Sequence, residues 1–296
     1  MNSHRQPVDF SSDTQMQTSF TCNTLSNVMA AEITGLDLAR ATSSDMVRIQ
    51  QLFLKHHLLV VRRQTLNDAD IERFAAWFGP LEVNQVKNAD GGVLAPVHSI
   101  ANVDAEGKPS QSPLLQSNYN WHSDKSYLPQ PSLMTMLHGL EIPPAGGDTQ
   151  FANMELAWQD LPEDKKQFIA GLRVVQSFEH MLDKLGQRAI IDAALIPPPV
   201  EHPLVRTHPE TGRKSLFVGM YSSKIIGMKQ DEAERLIAEL LAHATQEKYT
   251  FTQKWQHLDF VFWDNRSLVH RAIPNYEMAA HRRILRRCVV RGGVPQ

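Results

Sequence analysis

The chain has 296 residues, of which 42% are hydrophobic and 21% are charged, and its formal net charge is −2. This composition is typical of a globular protein with one large domain or two small ones, and the near-neutral charge argues against nucleic acid or a membrane surface as the main partner. The two cysteines, Cys22 and Cys288, are too few for a disulfide framework or a multi-thiolate zinc site, so we expect a cytoplasmic location.

The first 20 residues are polar and contain no apolar core that could form a signal peptide. We expect residues 1–20 to be mobile. Residues 21–296 are expected to form a single domain, because no internal repeat or low-complexity linker divides them. No stretch of about 18 apolar residues occurs that could span a membrane.

Helical periodicity is present over residues 44–56, over residues 68–78 with Asn67 as a suitable N-cap, and over residues 229–245. Apolar runs that are typical of strands cover residues 58–61, 133–137, 215–219, 259–263 and 282–291. Several of these strands lie late in the chain and are separated by turns. The pattern predicts a mainly β fold, a sandwich or barrel with helices packed outside.

The segment WHSD contains a histidine and an aspartate one residue apart, His122 and Asp124. On a strand, residues two apart point to the same face, so both side chains could bind one divalent cation. The motif alone is weak and needs a third ligand from elsewhere. The best candidate is His270, which follows an apolar strand and a polar turn in FWDNRSLVHRA. Two histidines and one carboxylate leave three metal positions open, as in non-heme Fe(II) oxygenases, whereas a closed structural site uses four protein ligands.

Most of the other histidines have simpler interpretations. His138 lies in an apolar run and is expected in a strand or in the core. Four more lie at helix ends or on polar faces and are expected to be solvated: His56, His57, His243 and His257.

Further motifs accompany WHSD in a fixed order, and they are AEITGLDLAR (31–40), HHLLVVRRQTL (56–66), FGPLE (78–82), GGDTQFANM (146–154), HPLVRTHPETGRKSLFVG (202–219), WDNRSLVHRA (263–272) and RRILRR (282–287). With them the chain resembles, over about residues 25–293, the taurine dioxygenase/2,4-dichlorophenoxyacetate dioxygenase family of Fe(II)- and 2-oxoglutarate-dependent oxygenases. The resemblance implies a double-stranded β-helix, a cupin-like jelly roll with flanking helices. It also implies that the three candidate ligands bind Fe(II).

The resemblance implies a cosubstrate site as well. Thr149 matches the threonine whose hydroxyl contacts 2-oxoglutarate, and Arg283 matches the arginine that binds its distal carboxylate. A buried carboxylate needs such partners, and the planar fork of arginine pairs with it bidentately. The spacing from His270 to Arg283 is two residues longer than in the taurine enzyme, so Arg282 competes for the same role.

Four positions correspond to the family's substrate pocket. Arg287 matches the arginine that binds the substrate's acid group, and Asn118 matches an asparagine that lines the taurine pocket. The family's substrate-contacting histidine and tyrosine are replaced here by Asn84 and Lys87, which makes taurine an unfavoured substrate. Lys87 could add a second positive charge to the pocket. We therefore expect a small anionic organic substrate.

The implied activity uses Fe(II), 2-oxoglutarate and O₂ to hydroxylate a C–H bond, with or without subsequent cleavage, and releases succinate and CO₂. An aryloxyalkanoate-like or other carboxylate substrate is favoured over taurine. The alternatives are a sulfonate, an alkyl sulfate or an amino-acid-derived biosynthetic intermediate as substrate, or a zinc-dependent hydrolase. The absence of an HExxH motif counts against the hydrolase. The exposed helices leave a homodimer or homotetramer open.

Overall fold

The computed structural model describes residues 20–82, 84–87, 93–110 and 117–296, without the side chains of residues 84–87, 93–94 and 190. The segment predicted to be mobile lies outside the described residues, apart from Phe20, whose side chain is buried. The division into that segment and a single domain stays a prediction. None of the helices in the described residues is long and apolar enough to cross a membrane.

The strands are β1 (Thr21–Thr24), β2 (Ala31–Thr34), β3 (Leu58–Val61), β4 (Asn84–Lys87), β5 (Val93–Leu94), β6 (His98–Ala101), β7 (Ser132–Glu141), β8 (Thr149–Asn153), β9 (Arg173–Gln176), β10 (Val200–Pro203), β11 (Val205–Thr207), β12 (Lys214–Leu216), β13 (Ser222–Ile225), β14 (Thr250–Gln253), β15 (Phe260–Asp264), β16 (Leu268–Ala272) and β17 (Ile284–Arg291). The helices are α1 (Ser43–His56), α2 (Asp68–Ala76), α3 (Met154–Gln159), α4 (Glu163–Ile169), α5 (Phe178–Lys184) and α6 (Gln230–Ala244).

Two sheets form the core of the molecule. The larger has the strand order β1-β2-β3-β15-β7-β17-β6, and the smaller has the order β14-β8-β16. Neighbouring strands of the larger sheet run antiparallel, except for the parallel pair β2 and β3. Strands that are far apart in sequence are therefore neighbours, as expected for a double-stranded β-helix.

Side chains of both sheets alternate between the enclosed space and the outer faces, as the two-residue period of a strand requires. Among the side chains that meet between the sheets are Leu58, Val60, Leu137, Phe151, Trp263 and Leu268. The rings of Phe151 on β8 and Trp263 on β15 lie 5.2 Å apart across this space. The interior of the barrel is therefore filled with packed apolar side chains.

Helices cover the two outer faces. Phe53 of α1 and Phe74 of α2 pack on Phe262 of the larger sheet, with ring centroids 5.8 and 5.1 Å from it. On the smaller sheet, Leu236 and Leu240 of α6 belong to one apolar cluster with Val269 of β16. The alternation that points His270 inward thus points Val269 outward, so helix packing and strand register fix each other.

The predicted helices over residues 44–56, 68–78 and 229–245 correspond to α1, α2 and α6, although α2 ends at Ala76. The predicted strand over residues 215–219 is shorter. Its regular part ends with β12 at Leu216, and the amide of Phe217 still donates to the carbonyl of Leu204 in register with the β11–β12 pair.

The N-cap of α2 provides a test of local stability. Asn67 accepts a hydrogen bond from the amide of Asp70 while the Asp70 carboxylate accepts one from the amide of Asn67. Asn67→Ala removes half of this capping box and should lower the free energy of unfolding by about 1 kcal/mol. Asn67→Asp keeps an acceptor oxygen and should stay near wild type. Urea denaturation of the three proteins checks this, and equal midpoints for all of them would contradict the capping role.

Candidate active site

A short antiparallel bridge brings two of the predicted ligands together. His122 and His270 pair through two backbone hydrogen bonds, of 3.0 and 2.8 Å. The segment around His122 is a single bridge and not the regular strand that the sequence suggested. Because both residues present their rings to the same side, the ring centroids lie 4.2 Å apart.

Asp124 completes the cluster. Its Oδ1 lies 3.7 Å from Nε2 of His122 and 4.0 Å from Nε2 of His270. One ligand atom from each of the three residues lies within 4.8 Å of the other two, and all three side chains are buried. Two imidazoles and one carboxylate on one side of a point fit an Fe(II) ion with three positions left for other ligands.

The protonation states also suit a metal. Burial lowers the pKa of His122, and burial together with the neighbouring His122 lowers the pKa of His270 to about 3, so both rings are neutral at pH 7. Nδ1 of His122 donates to the carbonyl of Asn120 at 2.7 Å, which leaves the lone pair on Nε2. Burial opposes ionisation of Asp124, but the Arg287 guanidinium, together with a hydrogen bond from Thr135, holds the pKa of this carboxyl well below its usual range.

Arg287 of β17 lies beside the ligand cluster. Its Nη2 lies 3.0 Å from Oδ2 of Asp124, the carboxylate oxygen that faces away from the two histidines. The arginine predicted to bind the substrate's acid group is thus already paired with a predicted metal ligand. Its position places a positive charge within reach of any anion that binds next to the metal.

A second, partly buried cation lies just before β17. Nε of Arg283 donates to the carbonyl of Gly147 at 2.9 Å, and its guanidinium lies 5.8 Å from the ring centroid of Trp255. The indole of Trp255 donates to Oγ1 of Thr149 at 3.0 Å. Burial lowers the pKa of Arg283 to about 10, so it remains charged at pH 7. In the part of the chain that the structure describes, no carboxylate lies within 4.0 Å of this guanidinium.

The neighbouring arginine points elsewhere. Arg282 is largely exposed, and its Nη2 lies 3.0 Å from Oε1 of Glu141 on the surface. Successive residues of an extended chain face opposite sides, so only one of the two arginines can face the interior. That residue is Arg283. Trp255 was not predicted from the sequence, because nothing in the surrounding TFTQKWQH segment marks it as a neighbour of Thr149.

The predicted substrate residues are less fully described. Asn118 lies in a 3₁₀ turn of residues 117–119 and is partly buried. Asn84 and Lys87 are the two ends of β4, and their side chains lie outside the described residues. Their predicted contacts with substrate therefore stay predictions.

Aromatic side chains form a wall next to the ligand cluster. The ring of Tyr221 lies 6.5 Å from that of His122 and 4.7 Å from that of Tyr127, which in turn lies 4.8 Å from Phe178. Burial raises the pKa of Tyr127 to about 12, so its hydroxyl is neutral. These rings are tilted against one another in an apolar cluster, and a surface of this kind beside a cationic arginine suits an amphipathic organic anion.

A buried charge network supports the turn between β15 and β16. Oδ2 of Asp264 lies 3.0 Å from Nε2 of His208 and 2.7 Å from Nη2 of Arg266. The amide of Asp264 donates to the carbonyl of His57. The expectation that His57 is solvated was wrong, because its left-handed backbone conformation, with φ of 62°, turns the ring inward to lie 3.7 Å from Glu155. Burial lowers the pKa of His57 to about 3.

The fold and the site together define an Fe(II)- and 2-oxoglutarate-dependent dioxygenase, an enzyme class whose members use Fe(II), 2-oxoglutarate and O₂. The chain belongs to the taurine catabolism dioxygenase TauD, TfdA family, whose model matches residues 21–289. The predicted family and reaction class are therefore confirmed. The alternative of a zinc-dependent hydrolase gains no support from this match.

Individual relatives agree with this class. The chain is 36% identical to the alpha-ketoglutarate-dependent 2,4-dichlorophenoxyacetate dioxygenase of Cupriavidus pinatubonensis over 90% of this chain and 96% of that protein. It is 34% identical to an alkylsulfatase of Acinetobacter baylyi, covering 91% and 84% of the two chains. The crystal structure of AAD-2 with Mn(II) and N-oxalylglycine matches with a TM-score of 0.83 and 30% identity, covering 94% of this chain and 98% of that one. The jelly-roll fold is thereby confirmed.

The depressed pKa of His57 predicts a loss of stability in acid. The unfolded chain binds a proton at this imidazole below its ordinary pKa of 6.5, whereas the folded protein does so only near pH 3. Stability that is present above pH 6.5 is therefore lost as the pH falls toward 3, by about 1.4 kcal/mol per pH unit from this group.

His57→Asn removes the titrating group, and asparagine tolerates the left-handed backbone conformation. Urea unfolding at pH 7, 6 and 5 should show a shallower pH dependence for this variant than for the wild type. Parallel pH profiles would show that His57 does not cause the loss of stability in acid.

Proposed function

We propose that this enzyme hydroxylates a C–H bond of a small organic acid, with His122, Asp124 and His270 as the Fe(II) ligands. The observation that carries the proposal is the convergence of these three buried side chains on one point, with Arg287 and an aromatic wall beside it. Bound Fe(II) and 2-oxoglutarate activate O₂ and supply the oxidant, and succinate and CO₂ are released. The protein contributes position, charge and exclusion of water.

Arg283 and Thr149 bind the distal carboxylate of 2-oxoglutarate in this proposal. Arg283 is partly buried and charged, and Trp255 contacts both its guanidinium and the hydroxyl of Thr149. Burying a lone guanidinium costs free energy that an incoming carboxylate offsets. The surface ion pair of Arg282 with Glu141 favours Arg283 over Arg282 for this role.

The substrate is an aryloxyalkanoate-like or other carboxylate in preference to taurine. Arg287 pairs with its acid group, the aromatic wall of Tyr127, Tyr221 and Phe178 packs on its apolar part, and Asn118, Lys87 and Asn84 complete the pocket. Relatives of similar identity include a 2,4-dichlorophenoxyacetate dioxygenase and an alkylsulfatase. Sulfonates, alkyl sulfates and amino-acid-derived acids are therefore the alternative substrates, and cleavage follows hydroxylation where the attacked carbon bears oxygen. We place the enzyme in the cytoplasm.

The reaction is tested by succinate release that depends on 2-oxoglutarate. Candidate acids to screen are aryloxyalkanoates, alkyl sulfates, sulfonates including taurine, and N-acyl amino acids, with uncoupled turnover subtracted. An aryloxyalkanoate should stimulate succinate release most strongly, because the pocket joins a cation to an aromatic wall. Strongest stimulation by taurine would overturn the substrate proposal.

The metal ligands are tested in the same assay. His122→Ala and Asp124→Ala should each abolish substrate-stimulated succinate release, since two remaining ligands cannot hold Fe(II) in an active geometry. His243→Ala, on the outer helix α6, is the matched histidine control and should retain activity. Full turnover by the Asp124 variant would rule out the proposed reaction.

The cosubstrate arginine is tested by a matched pair of adjacent variants. Arg283→Gln removes a charge-assisted contact of about 1.5–3 kcal/mol, so the KM for 2-oxoglutarate should rise about 10- to 100-fold. Arg282→Gln removes only a surface ion pair and should leave this KM within about twofold of wild type. Steady-state kinetics with saturating organic acid measure both. The opposite ranking of the two variants would assign the role to Arg282.

A further inference from the structure

We infer that Thr135 and Asn265 are positioning residues that hold Asp124 with one carboxylate oxygen toward the metal and the other turned away. The inference rests on the proposed role of Asp124 as an Fe(II) ligand. Both residues are almost fully buried, and they belong to two other parts of the fold: Thr135 lies on β7 and Asn265 in the turn between β15 and β16.

The hydroxyl of Thr135 has a fixed direction. Its Oγ1 accepts a hydrogen bond from Nδ2 of Asn265 at 2.9 Å, so its own proton is free to donate to Oδ2 of Asp124, 2.5 Å away. A hydroxyl has one proton, and the donor on the other side leaves it no competing orientation. The contact is therefore a charge-assisted hydrogen bond to one chosen oxygen of the carboxylate.

The amide of Asn265 is fixed as well. Its Oδ1 accepts from the backbone amide of Asp124 at 3.2 Å and from the indole of Trp263 at 3.3 Å. With donors on the oxygen side and a hydroxyl on the nitrogen side, only one orientation of the side-chain amide satisfies all partners. Asn265 thus bonds the backbone amide of Asp124 directly. It also orients the hydroxyl of Thr135, which bonds the Asp124 carboxylate.

Asn265 is itself anchored at its backbone. Its carbonyl accepts from Oγ of Ser123 at 2.7 Å and from Nη2 of Arg206 at 2.5 Å, and its amide donates to the carbonyl of Leu133 at 2.9 Å. The residue between the two predicted ligands His122 and Asp124 is therefore bonded to the same turn. This turn leads directly into β16, which carries the third ligand.

The orientation of the Asp124 carboxylate determines how many metal positions stay open. Oδ2 of Asp124 receives hydrogen bonds from Thr135 and Arg287, whereas Oδ1 lies nearest the two histidine Nε2 atoms. A carboxylate that used both oxygens would occupy one of the three positions that 2-oxoglutarate and O₂ require. Because Arg287 is also proposed to bind the acid group of the substrate, Thr135 is the donor that can hold Oδ2 throughout turnover.

Binding of Mn(II) to the metal-free enzyme, followed by the EPR signal of free Mn(II), tests this without turnover. Thr135→Val keeps the volume and removes the hydroxyl, and it should weaken Mn(II) binding about 10- to 100-fold. Thr135→Ser keeps the hydroxyl and should stay within about threefold of wild type. Thr135→Ala, which also lacks the hydroxyl and adds no bulk, gives the same comparison if the valine variant folds poorly.

The Mn(II) affinities distinguish a failure of the positioning role of Thr135 from a failure of Asp124 as a metal ligand. Loss in Thr135→Val or Thr135→Ala with rescue in Thr135→Ser supports the positioning role, because a packing defect would not be restored by the smaller hydroxyl residue. If both hydroxyl-free variants bind Mn(II) with wild-type affinity while Asp124→Ala loses Mn(II), the positioning role is wrong and the ligand assignment is not affected. If Asp124→Ala binds Mn(II) as well as the wild type, both the ligand assignment and the positioning role are wrong.

Discussion

The site depends on one pair of backbone hydrogen bonds, those that join His122 to His270. These bonds connect the WHSD segment to β16, and they set the two imidazoles at a separation that a single metal ion can bridge. Asp124 takes its place two residues later because Asn265, in the turn just before β16, bonds its amide. The geometry of the proposed metal site thus depends on β16, on the turn that precedes it and on their attachment to one loop.

Electrostatics impose a second constraint, since the site buries several charges that water would otherwise stabilise. Asp124 remains ionised because the charge of Arg287 and the hydrogen bond from Thr135 outweigh the cost of its burial. Behind it, Asp264 is stabilised in the same way by Arg266 and His208. Arg283 differs from these groups. It is a partly buried cation without a carboxylate within 4.0 Å in the described residues, which is the electrostatic basis for the proposed 2-oxoglutarate site.

Sequence patterns predicted the features that depend on periodicity and on motifs, such as helix α6, strand β3 and the ligand cluster with its third member His270. They did not predict features that arise from contacts between distant segments. Trp255 reaches Thr149 across the interior, and Asn265 reaches Thr135 on another strand, without any local signal in the sequence. The burial of His57 was missed for a related reason, since a left-handed residue at a helix end reverses the direction that helical periodicity suggests.

The most direct test of the central claim is an anaerobic titration of the metal-free enzyme with Fe(II) and 2-oxoglutarate, followed by visible absorption. Chelation of 2-oxoglutarate to a protein-bound Fe(II) should produce a charge-transfer band that saturates at one equivalent of metal. The band should be absent from His270→Ala, which lacks one of the three ligands. A wild-type enzyme that binds Fe(II) but gives no band with 2-oxoglutarate would contradict the assignment of this site.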